Sequence, residues 1–576
     1  MSERKKTKDN FIAQAGILMA AGMISRIIGL LYKSPLTGVI GEAGMGYYQE
    51  AYSFYFNVLT ISSYSIPSAV SKIIAQKLAA REYRNAHRLF YCVMGYVLVV
   101  GFAASLLLFF GAHFFVAEEA VPVLQSFAPT IFIFGMLGVL RGYFQAHRSM
   151  VQTSVSQILE QIVNAVVSVG GAMLILKSVF GSVSLPPLEE GQVKASVYGV
   201  IGSLTGSAAA VRNALSVKHA VCGAIGSALG TGSGVLTALL FMTGMYFLNR
   251  KMILRRVAHD KHTETESYGK MIGMITMVVL PFILSTAVYN LNDSINAFLY
   301  NKQMVLMKGL DSAAQHRIWG IYSGQSLTVQ KIPLAFATAM AAAMIPSISA
   351  AMAGGHREEA AEKIGLATKT TMLIAIPSAV GLFALAKPVM FFLFPRPDAV
   401  VTQAGKYLMI LSVSVVFYSL STLSNSILQG LGKMKAPIIN AAIALGVQSV
   451  ATFFLLLYTD LDCYAMAMMN TGYAGLMCLL NQISLRRAID YRQEWKRSFL
   501  RPAAAAILMG MVARLLYELI YIFTESMRIS LIPAIVVGVI SYFVFLLLFR
   551  AVNEEEMKAF PKGYLFVKIA KKLKLL

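Results

Sequence analysis

Apolar runs close to twenty residues long, separated by short polar stretches that hold most of the lysines and arginines, recur along the whole chain. As an α-helix, a run of that length covers about 30 Å of hydrocarbon. The pattern predicts spans near 11–32, 50–76, 89–111, 122–144, 150–176, 220–249, 271–299, 318–350, 366–394, 403–429, 436–458, 463–485, 502–523 and 529–549. This is the pattern of an all-α integral membrane protein with about 14 transmembrane helices. The opening MSERKKTKDN and the apolar run behind it resemble a signal peptide superficially. That run is too long and continues into an Arg-bearing helix, so it reads as an uncleaved first span.

Charge fixes the expected orientation. Of 576 residues, 57% are hydrophobic and 14% charged, yet 50 Lys and Arg face 28 Asp and Glu, a net charge of +22. So few charges argue against a nucleic-acid-binding protein, and the apolar runs argue against a soluble multidomain enzyme. With the N-terminus cytoplasmic, most cations fall inside, including Arg81, Arg84, Arg88, the cluster Arg250–Arg256 and the tail KIAKKLKLL. Both termini are then cytoplasmic. The basic tail, 550–576, either lies on anionic lipid or simply locks the topology. Cys92, Cys222, Cys463 and Cys478 lie in apolar stretches without a CxxC pair and read as small core residues, with no metal site.

Two internal matches suggest repeated halves. Ser65-Ile66-Pro67-Ser68-Ala69-Val70 in span two corresponds to Lys331-Ile332-Pro333-Leu334-Ala335-Phe336 in span eight, 266 positions later. Gln145 precedes Met150 after span four as Gln429 precedes Met434 after span ten. An offset of six helices keeps both halves in one orientation, giving parallel repeats. The expected organisation is an N-lobe (1–250) with an outer insertion at 178–218, a C-lobe (271–485), two extra helices (502–549) and the tail. Two six-helix lobes would surround a central cavity.

Ser25-Arg26-Ile27-Ile28-Gly29, SIPSAVSKIIAQK at 65–77, RGYFQAHRSM at 141–150 running into SQILEQIV at 156–163, and ILQGLGKMKAP at 427–437 together resemble the MurJ/SpoVB-type polysaccharide biosynthesis proteins, within the multidrug/oligosaccharidyl-lipid/polysaccharide exporter superfamily. The resemblance covers nearly the whole chain and implies a lipid-linked oligosaccharide flippase of bacterial cell-wall synthesis. Its implied substrate is lipid II, an undecaprenyl-pyrophosphate-linked peptidoglycan precursor, and its implied site is the bacterial cytoplasmic membrane. It also implies a monomer that handles an undecaprenyl-pyrophosphate-linked sugar, beside the cell-wall synthesis machinery, in cell-shape maintenance or sporulation. Where the MurJ pattern carries a second Arg after SR-x-x-G, this chain has Tyr32 and Lys33; where span two carries another, it has small and hydroxyl residues around Ser63. That places it nearer the SpoVB-like branch.

Ionisable residues within spans nominate the site, because each costs about 2.5 kcal/mol or more at a helix centre without a wet cavity or a partner. Arg26 lies about 22 Å along span one, Lys331 about 20 Å into span eight and Glu160 about 15 Å into span five. A pyrophosphate needs cations in a water-filled cleft. Arg26, Lys331 and Lys72 are the candidates, and the alternative for Arg26 is a structural ion pair with Glu160. Glu160 and Asp293 are candidate gate or ion-coupling residues; with Asn290 and Asn292 beside it, Asp293 equally suits a helix–helix hydrogen-bond network. Gly29, Pro67 and Pro333 are candidate hinges or packing contacts.

The implied mechanism is alternating access: the headgroup enters from the inner leaflet, the lobes rock, and the polyprenyl tail stays in lipid. Spans thirteen and fourteen, with Arg514 as their one buried-looking cation, would furnish a groove for that tail. GLGK at 430–433 lacks the rest of a phosphate loop, so no cofactor is expected and energy comes from the membrane potential, a Na⁺ or H⁺ gradient or the substrate gradient. The alternatives are a flippase for another undecaprenyl-linked polysaccharide unit, a multidrug cation antiporter, and a membrane glycosyltransferase. The antiporter would stop at twelve spans and want acidic cavity residues. The glycosyltransferase would need a carboxylate cluster, where the first outer loop, KSPLTGVIGEAGMGYYQE, offers only Glu42 and Glu50.

Overall fold

The computed structural model describes residues 20–552 apart from 65, 148, 184–207, 261–263, 310, 354–356 and 490–492. Among them every regular element is helical. A first compact unit, Met1–Gly320, contains α1 (Ala20–Leu31), α2 (Lys33–Leu59), α3 (Ile66–Ala79), α4 (Tyr83–Phe115), α5 (Val121–Ala146), α6 (Met150–Phe180), α7 (Ala208–His259), α8 (Tyr268–Phe298), α9 (Met304–Lys308) and α10 (Ser312–Trp319). A second, Ile321–Leu576, contains α11 (Leu327–Ala353), α12 (Arg357–Ala384), α13 (Ala386–Leu393), α14 (Asp398–Gly430), α15 (Lys435–Tyr458), α16 (Asp462–Ile489), α17 (Arg501–Thr524) and α18 (Met527–Leu548).

Among the described residues, ten helices are long and apolar enough to cross a membrane. The other expected spans, one, two, seven and eight, coincide with α1, α2–α3, α8 and α10–α11. Spans two and eight each carry a polar π-helical turn, Thr60–Tyr64 and Gly320–Ser326, N-terminal to the Ile-Pro pair. In span two the wide turn holds Ser63, whose carbonyl Pro67 leaves without its i→i−4 bond. Most of the outer insertion, 184–207, and most of the tail, 553–576, lie outside the described residues.

The first outer loop is not a loop. Residues 33–49 belong to α2, which turns at Gly41 (φ 72°) and buries Leu36, Ile40, Met45, Tyr47, Tyr48 and Glu50. Aromatic rings and small residues in that stretch give it a packing face, which a loop reading based on its glycines overlooked.

Close helix contact organises the first unit. Gly226, Gly230 and Gly234 recur every four residues along α7 and face α6. A Cβ at these positions would come within 2.6 Å of Ala172 Cα, 2.2 Å of Ser168 Oγ and 2.5 Å of the Glu160 carbonyl oxygen. Small residues at this spacing let two backbones approach where no hydrophobic effect drives helices together. The seam fixes the height and rotation of Glu160 and Asn164 on α6.

At one end of the unit the α3–α4 turn grips the segment before α8. Lys77 Nζ lies 2.9 Å from Glu82 and 2.8 Å from Glu266. Asn85 donates to the Glu264 carbonyl and accepts from the Glu266 amide, and the Arg84 amide donates to Asp260. The Lys77 ammonium holds the Glu82 and Glu266 carboxyls below their usual range. Carboxyls depressed in the folded state contribute stability that is present above the unfolded value and lost as pH falls through the folded one. The unfolding midpoint is therefore expected to fall more steeply below about pH 5 in the native protein than in Lys77→Gln. Equal slopes in thermal unfolding would show that the grip carries no proton-linked stability.

In the second unit, Asn481 of α16 donates to Ser421 and Asn425 of α14 and accepts from Asn440 of α15. This buried network supplies a partner for each amide and ties three spans. The terminal pair α17–α18 packs on α12: a Cβ at Gly510 would meet Val380 at 2.7 Å, and the Tyr542 hydroxyl donates to the Leu373 carbonyl. Arg514, expected to be buried, is 48% exposed, ion-paired with Glu518 and stacked on Tyr517. The i,i+4 carboxylate lets it stay at the surface of a helix that the sequence shows only as apolar.

Candidate functional site

The two most specific sequence motifs meet through one ion pair. Arg141 lies near the end of α5, and the three-residue connection 147–149 folds α6 back beside it. Its guanidinium donates from Nε to Ser156 Oγ at 2.9 Å and from an Nη to Glu160 at 2.8 Å. Ser156 and Glu160, one helical turn apart, thus present two acceptors to a two-pronged donor. The Arg141 and Glu160 side chains are 7% and 14% exposed. Glu160 therefore has its partner in Arg141, not in Arg26. The geometry favours Arg141 because short antiparallel packing brings its guanidinium alongside α6, whereas Arg26 stands exposed on α1.

A polar seam continues from this pair. Ser168 donates to Asn164 Oδ1 at 2.9 Å, Thr231 of α7 reaches the same oxygen, and the Tyr48 hydroxyl of α2 meets Thr231. Tyr32, between α1 and α2, lies against Tyr48 and Asn164. Four helices thus contribute polar groups to one internal strip of the unit.

A second pair is fully buried. His316 of α10 faces Glu50 of α2 across 2.6 Å, both side chains at 0% exposure. His316 Nδ1 is 2.7 Å from the Ser312 carbonyl, to which it donates, and Glu50 accepts from the Ala117 amide. Tyr47 stacks on the imidazole, with ring centroids 4.0 Å apart. Gly46 permits the approach, since a Cβ there would lie 1.9 Å from the His316 carbonyl oxygen.

Of the other residues expected at a site, Arg26 and Lys72 are exposed on the first unit and Lys331 on the second. Gly29 lies on α1, where a Cβ would be 3.5 Å from Gln161 of α6. Pro67 starts α3 after the π turn and packs on Gly138 and Gly142 of α5. Pro333 lies within α11. Asp293 is half-buried on α8, where the Asn290 carbonyl accepts from Asn57 of α2, Asn57 also bonds Ser294, and Asn296 donates to Asn292. A helix–helix hydrogen-bond network thus surrounds Asp293. Sequence reasoning missed Arg141, the Glu50–His316 pair and Lys369, which is 6% exposed within α12. For Arg141 the signal was available: a motif cation lying four residues inside a span end.

Residues 11–207 match the family model described as polysaccharide biosynthesis protein, and 324–454 match the MatE model. The lipid II flippase MurJ of Bacillus subtilis (strain 168) is 24% identical over 538 residues, covering 90% of this chain and 91% of that protein. Stage V sporulation protein B of the same organism is 22% identical, covering 96% and 98%. Among solved structures, a lipid II flippase MurJ in an inward closed conformation superposes with a TM-score of 0.61 at 15% identity, covering 92% of this chain and 98% of that one. An inward-facing MATE multidrug transporter superposes with a TM-score of 0.59 at 14% identity, covering 83% and 98%.

Proposed function

By its fold and its sequence relatives the chain is a member of the multidrug/oligosaccharidyl-lipid/polysaccharide exporter superfamily, and from that premise we propose that it is a flippase carrying lipid II from the inner to the outer leaflet. The observation that carries this reading over a drug exporter is the terminal pair α17–α18. The flippase structure spans 92% of the chain, against 83% for the multidrug transporter. An open, mostly apolar groove of about 400 Å³, lined by Ile376, Val416, Trp495, Lys496, Phe499, Leu500 and Ala503, lies at the start of α17 beside α12 and α14. Its mostly apolar lining suits a polyprenyl tail.

In this reading the protein lies in the bacterial plasma membrane with both termini cytoplasmic. Arg26, Lys72 and Lys331 serve the pyrophosphate, and Glu160 and Asp293 act in gating or ion coupling. Outward movement of a net negative headgroup is favoured by an inside-negative potential, at about 2.3 kcal/mol per charge per 100 mV. The test is reconstitution into liposomes with lipid II or another undecaprenyl-pyrophosphate sugar. Arg26→Ala and Lys331→Ala are each expected to slow outward movement of lipid II about tenfold or more, since a charge-assisted hydrogen bond contributes about 1.5–3 kcal/mol. Full activity in both variants would remove the cationic site and leave the function standing. Efflux of organic cations without movement of any lipid-linked sugar would overturn the flippase reading.

A further inference from the structure

The last stretch of the first unit, from the π turn before α9 to the end of α10, is strapped to α2 and to the turn 116–120 between α4 and α5. The Lys302 ammonium donates to the His113 and Val116 carbonyls at the end of α4. Ser312 Oγ donates to Glu119 at 3.1 Å, and the Asp311 carboxylate caps α10 by accepting from the Ala314 amide. Two backbone crossings seat α10 on α2. One is Gly46 on the His316 carbonyl; at the other, a Cβ on Gly320 would lie 1.9 Å from the Glu42 carbonyl oxygen. The Glu50–His316 pair is closed within this strap, with the Tyr47 ring stacked on the imidazole. From Gly320 the π turn leads on to α11 of the second unit.

The closed strap holds one proton by necessity. His316 Nδ1 donates to the Ser312 carbonyl, so Nε2 and the Glu50 oxygen, 2.6 Å apart, would be facing lone pairs without a proton between them. In water an imidazolium gives up its proton near pH 6.5 and a glutamic acid near pH 4.3. Once α10 lifts from α2, these two atoms together therefore carry no proton above about pH 6.5, one between those values and two below about pH 4.3. Closing binds a proton in the first range, moves none in the second and releases one in the third. The closed form is favoured most between about pH 4.3 and pH 6.5, and each pH unit above that shifts the balance about tenfold toward the open form. Carboxylates change charge below this alkaline range, and tyrosine, lysine and arginine well above neutrality. The other ionisable groups on the surrounding elements are of those kinds: Glu42 and Tyr47 on α2, Glu118 and Glu119 in the turn, Tyr300 and Lys302 before α9, and Asp311 and Arg317 at α10. The exception is His113, which is exposed and paired with Glu118.

We propose that Glu50 and His316 form a pH-sensitive latch that fastens α10 to α2 and loosens as the surrounding solution turns alkaline. Its regulatory role rests on the flippase reading, in which α10 lies at the outer face: an alkaline exterior then eases outward opening. The full-length protein in nanodiscs tests the latch without transport. Diethyl pyrocarbonate modifies neutral imidazoles, and His316, at 0% exposure, reacts only from the open form. The readout is its carbethoxylation rate relative to exposed His259, resolved by mass spectrometry. Between about pH 7 and about pH 9 this ratio is expected to climb roughly a hundredfold. It is expected to stay level in Glu50→Gln, whose amide donates to a neutral imidazole in the closed form, so that opening moves no proton. His113→Gln, which removes an imidazole outside the latch, is expected to keep the native slope. His219, buried elsewhere in the unit, is expected to show none, and this comparison within the native protein decides the matter even if Glu50→Gln does not fold. A level ratio at native His316, an unchanged slope in Glu50→Gln, or parallel slopes at His316 and His219 would overturn the latch and leave the flippase reading intact. Failure to move any lipid-linked sugar, with the slope present, would remove the role in transport and leave the latch.

Discussion

Arg141→Ala is expected to lower the stability of the first unit by about 3–5 kcal/mol, because it leaves the Glu160 carboxylate inside the helix bundle without its counter-charge. The loss includes the bond from Nε to Ser156, so Arg141→Lys recovers only part of it: an ammonium cannot span Ser156 and Glu160 as the guanidinium fork does. Glu160→Gln removes the stranded charge. Combined with Arg141→Met it is expected to return most of the lost stability, since replacing both members of a buried pair costs far less than breaking it. Thermal unfolding of the native protein, Arg141→Met, Glu160→Gln and the double variant forms a double-mutant cycle. Additive losses would mean that the pair is not coupled, and an unchanged midpoint in Arg141→Ala would mean that the contact does not form. The transport reading adds a separate expectation: if Glu160 gates, the double variant folds but flips lipid II slowly.

An effect of similar size is expected at Glu50–His316. With Nδ1 donating to the Ser312 carbonyl, the 2.6 Å contact at Nε2 requires one proton shared with Glu50. Glu50→Ala leaves Nε2 and the Ala117 amide unsatisfied in a site closed to water, with an expected loss of about 3–5 kcal/mol. Glu50→Gln is the discriminating variant. Its amide nitrogen donates to Nε2 and its oxygen accepts from Ala117, so most of the stability is expected to remain. If Gln were as damaging as Ala in thermal unfolding, the negative charge itself, rather than the hydrogen bonds, would be what the site requires. Gly46→Ala reaches the same contact from the backbone side and is expected to match Glu50→Ala, because its Cβ would overlap the His316 carbonyl.

Most of the fold was legible. Span positions follow from apolar length, and the observed helices agree with them within several residues at most ends, the exceptions including the long α7 and the early start of α2. The paired Ile-Pro segments suggest repeats, and a π turn lies N-terminal to each, at different distances from the pair. The site was legible in part. RGYFQ and SQILEQ were recognised as the most specific stretches, yet the bond joining them was not, because a cation near a span end is explained equally well by snorkelling. Glu50 was assigned to a loop: its partner lies 266 residues away, and no local pattern links a glutamate to a distant histidine. The glycines at 226, 230 and 234 were visible at four-residue spacing, but spacing alone does not say which helix they admit.

The sequence by itself determined that the chain spans a membrane many times and which segments are helical. The physical reason is one-dimensional: hydrocarbon requires about twenty apolar residues per crossing and a backbone satisfied within each segment. Only the tertiary structure decided which buried charges neutralise one another and which charged side chains stay at the surface. Those outcomes depend on the rotation and height of each helix, set by contacts such as Gly230 on Ser168 and Gly46 on His316. A shift of one residue turns a helix by about 100°, enough to move Arg141 from Glu160 to the surface with almost no change in the hydropathy pattern.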